Sequence, residues 1–201
     1  MIKIKNSKDR INNIINEYIN KINKIQNEYN ILKEENNKII NEYKIINTKK
    51  EYNKGRYEGQ IKNNKREGKG IMYYNNGDKY EGDWKDDKFE GKGIVYLKSG
   101  NRYEGDWKNN NREGKGIMYC YNGDRYIGDF KDGTSEGKGM VYYNNGDRYE
   151  DDFKNDKKEG KGIFYYNNGD RIMGDYSNDK PTGKHVILTK NGEVKTKNYQ
   201  I

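Results

Sequence analysis

From Tyr57 onward, apolar and polar residues alternate in short runs, and the runs return every 23 residues. In Tyr103-Glu104-Gly105-Asp106-Trp107-Lys108 the first, third and fifth residues share one face, while Glu104, Asp106 and Lys108 share the other. That is the period of a half-buried β-strand. A polar stretch, Asn109-Asn110-Asn111, follows. Gly114-Lys115-Gly116-Ile117-Met118-Tyr119 then reads as a return strand, and Asn122-Gly123-Asp124 as a turn in which glycine accepts a positive φ. Each unit is expected to be one β-hairpin. Its opening tyrosine recurs at Tyr57, Tyr80, Tyr103, Tyr126 and Tyr149, and the same register puts Ile172 at the head of a sixth, degraded copy. A fixed period of this length marks a repeat array. Five full copies (57–171), a capping copy (172–194) and a short tail predict an all-β fold, a single elongated antiparallel sheet of hairpins over 53–201. At ~4.8 Å per strand the sheet is about 55–60 Å long.

Residues 1–52 hold no glycine and no proline. Ile4, Ile11, Tyr18, Ile25, Leu32, Ile39 and Ile46 stand at intervals of seven, with Lys8, Ile15, Ile22, Tyr29, Asn36 and Tyr43 four residues behind them. This spacing predicts an amphipathic α-helix with coiled-coil heptads over 1–52. Its seam is expected at Ile11, Ile15, Tyr18, Ile22, Ile25, Tyr29, Leu32, Asn36, Ile39, Tyr43 and Ile46, with Asn36 fixing the register. Ile14, Ile19 and Ile40 widen the stripe beyond a two-stranded seam, which suits a higher oligomer or a helix laid against a sheet. A helix from 4 to 46 is ~65 Å long, matched to the array, and is expected to be able to occupy the array's groove. Equal hydrogen-exchange protection of the groove strands with and without the helix would refute that.

Composition narrows the picture. Only 30% of residues are hydrophobic and 36% are charged, so no thick core is available. A one-sheet repeat structure needs less, because each unit packs only on its neighbours, and 20 regularly placed tyrosines argue against disorder. The net charge of +8 invites nucleic acid until it is divided along the chain. Residues 1–52 carry +4, residues 53–56 carry +2, the five full copies sum to zero, and the remainder carries +2. The basic excess lies at the ends, so no phosphate-binding stripe, and no nucleic-acid partner, is expected on the array. Cys120 is the single cysteine, which points to a reducing compartment. No apolar run approaches the ~20 residues of a membrane helix, and the opening Met1–Asn6 lacks a signal-peptide core. A cytoplasmic protein is expected, peripheral at the cell cortex or an internal membrane if it meets a membrane at all.

The repeat resembles the MORN (membrane occupation and recognition nexus) family. The family's core, Tyr-Glu-Gly-x-Trp/Phe followed by Gly-x-Gly and a closing Tyr-x-x-Gly, stands almost unaltered at 80–100 and 103–123. The resemblance covers about 57–192 and implies an open β-hairpin solenoid with an aromatic-lined groove. Departures are local: Ile127 replaces Glu, Asp151 replaces a motif Gly, and Gln60-Ile61 replaces Asp-Trp. Ile172, Pro181 and His185 mark the last copy as a cap.

No catalytic constellation emerges, and neither a cofactor nor a metal site is expected. Carboxylates such as Glu104 and Asp106 recur in every copy as a solvated face, and one cysteine with one histidine cannot make a metal site. The chain is read as a non-catalytic scaffold. Its partner, a helix or an extended peptide, is expected in an aromatic groove of Tyr80, Trp84, Tyr103, Trp107, Tyr126, Phe130, Tyr149 and Phe153. The helix is expected to join copies into a homo-oligomer. The alternative is peripheral binding to acidic phospholipids such as phosphoinositides, through the basic helix or through Lys69, Lys92, Lys115, Lys138 and Lys161, one per copy. By resemblance, such proteins work at membrane–cytoskeleton junctions.

Overall fold

The computed structural model describes residues 2–43 and 46–200; within these, the side chains of 2–6, 9, 41–43 and 46 are not described. The chain forms two compact units, residues 1–44 and 45–201. The first is one helix, α1 (Ile2–Tyr43). Its apolar stripe is exposed, Ile22 at 62% and Ile25 at 65%, and Ile11, Ile15, Tyr18, Tyr29, Leu32 and Ile39 lie open with it. Ile4 and Tyr43, two of the heptad positions, fall among the side chains that are not described.

The second unit is one antiparallel sheet whose strand order is the chain order. It opens with β1 (Ile46–Tyr52) and continues as six hairpins. These are β2 (Gly55–Lys62) with β3 (Lys65–Tyr74), β4 (Lys79–Lys85) with β5 (Lys88–Tyr96), and β6 (Arg102–Lys108) with β7 (Asn111–Tyr119). Then come β8 (Arg125–Lys131) with β9 (Thr134–Tyr142), β10 (Arg148–Lys154) with β11 (Lys157–Tyr165), and β12 (Arg171–Ser177) with β13 (Lys180–Leu188). β14 (Val194–Tyr199) closes the far edge. At the usual strand spacing the sheet is about 60 Å long.

Two boundaries differ from the heptad reading. The helix stops at Tyr43 rather than at 52, and 46–52 is strand: Ile46 pairs with Ile61 and Tyr52 with Gly55. Ile46 is therefore not a helix-seam residue, although its spacing continues the heptad. The tail is also strand, with Val194 opposite Leu188. Without these two strands the backbone N–H and C=O groups along β2 and β13 would be left unpaired. Lys49 and Lys50 in β1, and Lys195 and Lys197 in β14, place charge on the new outer edges, which discourages further pairing. A truncation at residue 53 would remove β1; one at residue 45 keeps it.

Tight two-residue turns set the hairpin register. Both central residues have positive φ, as in Asp86-Asp87 (48° and 67°) and Asn109-Asn110 (50° and 72°), a backbone that Asn and Asp tolerate better than other side chains. The second turn residue also stitches one hairpin to the previous one. Asp87 accepts from the Arg66 N–H (3.0 Å) and guanidinium (2.8 Å), and Asn110 accepts from the Phe89 N–H (2.8 Å). Burial pushes the Asp87 carboxyl up, but the Arg66 bonds and charge outweigh it, and its pKa lies below the ordinary value. A lowered carboxylate stabilises the fold above its unfolded pKa, here 3.8, and that contribution is lost as pH falls through the folded value.

Candidate functional site

The two faces of the sheet have different chemistry. On one, twelve rings form an unbroken edge-to-face zigzag. It runs Tyr57, Trp84, Tyr80, Trp107, Tyr103, Phe130, Tyr126, Phe153, Tyr149, Tyr176, His185 and Tyr199, with neighbouring centroids 4.8–5.7 Å apart. The eight aromatics expected to line a partner groove are all in this line. Tyr80 and Tyr149 are 0% exposed and even Tyr126 is only 9% exposed. That expectation is corrected: these rings are the core, and they offer a partner no surface.

Glycine makes the burial possible. Cross-strand pairing sets Gly70, Gly82, Gly93, Gly105, Gly116, Gly128 and Gly139 in one row, and the row admits each tyrosine ring flat against the sheet. A Cβ on Gly116 would stand 2.6 Å from Tyr103 Cε2. Four tyrosines then donate from the phenol to the carbonyl three residues on, Tyr80 to Asp83 at 2.8 Å for example, and Trp107 Nε1 donates to Gly93 O at 3.0 Å. A second glycine, such as Gly91 (φ 63°), sits at each hairpin's bulge.

Burial raises the core phenols above 10.0: Tyr57 and Tyr176 are pushed up to about 12, and Tyr80, Tyr103, Tyr126 and Tyr149 are raised as well. A group whose folded pKa is raised contributes stability that is complete below the unfolded pKa and is lost as pH rises through the folded one. The array is therefore expected to keep full stability to about pH 10 and to unfold cooperatively on approach to pH 12. Tyrosinate absorbance at 295 nm followed together with circular dichroism checks this. Smooth titration of all tyrosines near pH 10 with no loss of ellipticity would contradict it.

The other face carries an open trough of about 1210 Å³ that crosses the strands from β2 to β10. The glycine row is its floor. Along one side runs a row made of Glu58, Ile71, Glu81, Ile94, Glu104, Ile117, Ile127, Met140 and Glu150, neighbours across consecutive strands. Outside it, each basic residue two positions before a Glu pairs with that Glu: Arg56–Glu58, Lys79–Glu81, Arg102–Glu104 and Arg148–Glu150. The same cations lie over tyrosine rings, Arg102 at 4.2 Å from Tyr119. These trough residues were missed in the sequence. The available signal was the apolar residue after each Gly-Lys-Gly, which alternation places opposite the rings.

The lysine ladder exists in part. Lys69, Lys92, Lys115 and Lys138 line the other side of the trough, while Lys161 is not among its lining residues. The first three bind one aspartate each on the next strand, Asp83, Asp106 and Asp129, all at 2.5 Å. Those aspartates do double service, since Asp83 and Asp106 also accept from the backbone N–H of Lys92 and Lys115. The lysines are exposed but their charge is matched within the protein.

Among the described residues no group of three or more His, Cys, Asp or Glu is arranged to hold a metal. Burial pushes the Cys120 thiol up, aided by Asp124, which disfavours the nucleophilic thiolate. His185, expected in the cap, is fully buried against Tyr176 and Tyr199.

The fold and its two faces define a β-hairpin solenoid, a repeat protein whose surface chemistry recurs with each unit. The model of the MORN repeat matches residues 57–79, 80–102, 103–125, 126–148 and 152–171. These matches span more than half the chain, which belongs to the MORN-repeat family. No curated protein matches it significantly. Among solved structures, the chain is similar to the TCP domain of SAS-4 (dCPAP) of Drosophila melanogaster in complex with a proline-rich motif of Ana2 (dSTIL), at 16% identity and a TM-score of 0.48, covering 78% of this chain and 89% of that one. It is also similar to the TCP10 domain of CPAP from Danio rerio, at 11% identity and a TM-score of 0.45, covering 73% and 69%.

Proposed function

We propose that the protein is a non-catalytic scaffold that receives a segment of a protein partner along the trough and joins its own copies through α1. The observation that carries this reading is the trough itself: long, open, floored by glycine and lined once per hairpin by an aliphatic side chain. Its subsites repeat every two strands, about 9.6 Å. Three residues of an extended polyproline-type segment advance about 9.3 Å, and two turns of helix about 10.8 Å, so either fits in step. The exposed stripe of α1 supports self-association. The family resemblance is the ground for placing such a scaffold at a membrane–cytoskeleton junction.

The test is cross-linking capture from cells with the full chain and with Ile94→Glu/Ile117→Glu/Met140→Glu, whose changes lie on the trough face. The proposal expects specific partners to be lost at least tenfold with circular dichroism unchanged. Partners retained by the triple variant would reject the trough. Sedimentation equilibrium of Ile22→Glu/Ile25→Glu tests the helix, and an unchanged oligomer would reject assembly through it.

A second reading, acidic-lipid binding, is favoured by one observation, the exposed apolar stripe of a helix that also carries Lys21, Lys24, Lys33 and Lys38. Flotation with phosphoinositide vesicles should then be abolished by Lys21→Glu/Lys24→Glu and untouched by Lys92→Glu/Lys115→Glu. The opposite pattern would make the ladder the lipid surface.

A further inference from the structure

Two departures from the repeat, Ile127 and Asp151, are far apart in the chain but meet in the trough. At the position of Ile127 the other full copies have Glu58, Glu81, Glu104 and Glu150, each paired with the cation two residues earlier, and the capping copy has Met173. Ile127 breaks that pairing. Arg125 remains over Tyr142 at 4.6 Å and has no carboxylate within ion-pair distance among the described residues. The substitution also makes Ile117, Ile127 and Met140 contiguous across three strands, the one place within the trough where the alternating Glu gives way to an unbroken apolar surface; the corresponding Ile163, Met173 and Val186 lie beyond its lining residues.

Asp151 departs in a costlier way. Its φ is 139°, in the region that favours glycine, in a strand position held elsewhere by glycine. At the equivalent Gly82 a Cβ would meet Gly93 Cα at 2.5 Å and Tyr80 Oη at 2.7 Å, so the ordinary backbone conformation is closed to any side chain. The altered backbone lets the carboxylate line the trough. It also leaves Tyr149 Oη buried without the hydrogen bond that its four counterparts make. Lys138 consequently faces two carboxylates, Asp151 and Asp152, where the other rungs have one. Lys161 is within ion-pair distance of neither. Strain and an orphaned hydroxyl thus accompany one surplus carboxylate in the trough.

The unmatched guanidinium, the apolar row and the surplus carboxylate lie within β7–β10. Arg125 precedes Ile127 by two residues, about 7 Å, and Asp151 lies two strands beyond, about 10 Å from Ile127 and about 14 Å from Arg125. We propose that this stretch selects the partner: a polypeptide segment with an aliphatic or aromatic anchor on Ile117–Ile127–Met140, an acidic side chain against Arg125 and a basic side chain against Asp151. In an extended segment the two charges are separated by about four residues, at 3.3 Å each. Burying a matched charge at each end favours the right segment and its direction, because the reversed segment sets like charges together. This selectivity rests on the trough being the partner site.

The test is a phage-displayed library of random twelve-residue peptides panned on the full-length chain, with the enriched peptides synthesised and titrated by fluorescence anisotropy. The expected consensus is an apolar residue between one acidic and one basic position. Ile127→Glu should weaken the best peptide at least tenfold. Asp151→Asn should weaken it about tenfold, and have no effect on the same peptide with its basic residue changed to Gln. Asp151→Gly should weaken it equally while raising the thermal midpoint by about 2–4 °C through relief of strain. A purely structural Asp151 would instead lower the midpoint on substitution, which overturns the proposal. So would a consensus without the charge pair, or peptides indifferent to Ile127→Glu yet lost in Ile94→Glu, an outcome that leaves the trough reading standing. Enrichment of no sequence, or of peptides that survive Ile94→Glu/Ile117→Glu/Met140→Glu, overturns both.

Discussion

Gly116→His is expected to unfold the centre of the array, and Tyr103→Ile in the same chain is expected to restore much of it. At Gly116 any Cβ stands 2.6 Å from Tyr103 Cε2 and 2.7 Å from Cζ, atoms fixed from behind by the edge of Trp107. An imidazole there has nowhere to go, and the loss should be at least about 3 kcal/mol. The capping hairpin already contains the compensated pair. Ile172 stands where the other copies have tyrosine, and His185 stands where they have the second motif glycine. The His185 ring occupies the vacated space: it makes the edge contact with Tyr176 (5.3 Å) that Tyr103 makes with Trp107 (5.1 Å), and it lies where a Cβ on Gly174 would be. A double-mutant cycle by urea denaturation should give a coupling of about 2 kcal/mol in favour of the pair. Additive losses would mean that the two exchanges in the cap are unrelated. As a control, Gly133→Ala adds a Cβ that meets nothing within 4 Å, though its φ of 92° is strained. It should cost only about 1 kcal/mol.

Trp107→Ala should be the most damaging single truncation. The indole touches Tyr80, Phe89 and Tyr103 edge-on at 5.7, 5.2 and 5.1 Å, bridging two hairpins, and its Nε1–H satisfies Gly93 O. Truncating a buried aromatic removes about 3–5 kcal/mol, and the carbonyl left behind adds to the loss. Because each hairpin packs only on its neighbours, the loss falls on one interface of a linear array. Hydrogen exchange should show β4–β7 losing protection while β10–β13 retain theirs. Uniform loss along the sheet would mean that the fourteen strands unfold as a single cooperative unit.

Much of this was legible in the residues themselves. The 23-residue return of Tyr-Glu-Gly specified the hairpin, and Asn-Asn, Asp-Asp and Asn-Gly specified the turns because few other residues accept positive φ. Alternation specified which side chains share a face. It does not reveal which face is covered, and by alternation alone the rings read equally well as a partner surface. In a one-layer sheet either face can serve as the core. The choice falls to the aromatic face because a glycine row lets each ring lie flat on its own hairpin while the next hairpin's ring covers its edge. That contact joins residues 23 or more apart and has no local signature.

The departures were visible as letters only. Ile127 and Asp151 looked like independent flaws until the strand register brought both into one trough. The N-terminal edge departs from its local signal for a related reason: the heptad spacing runs through Ile46, and nothing local opposes helix there. Local residue order specifies a repeating hairpin and the side chains that belong together on it. Where the array starts and stops and which face stays open were decided by tertiary structure, because the pairing of β1 and β14 onto the repeats and the covering of one hairpin's rings by the next exist only in the assembled sheet.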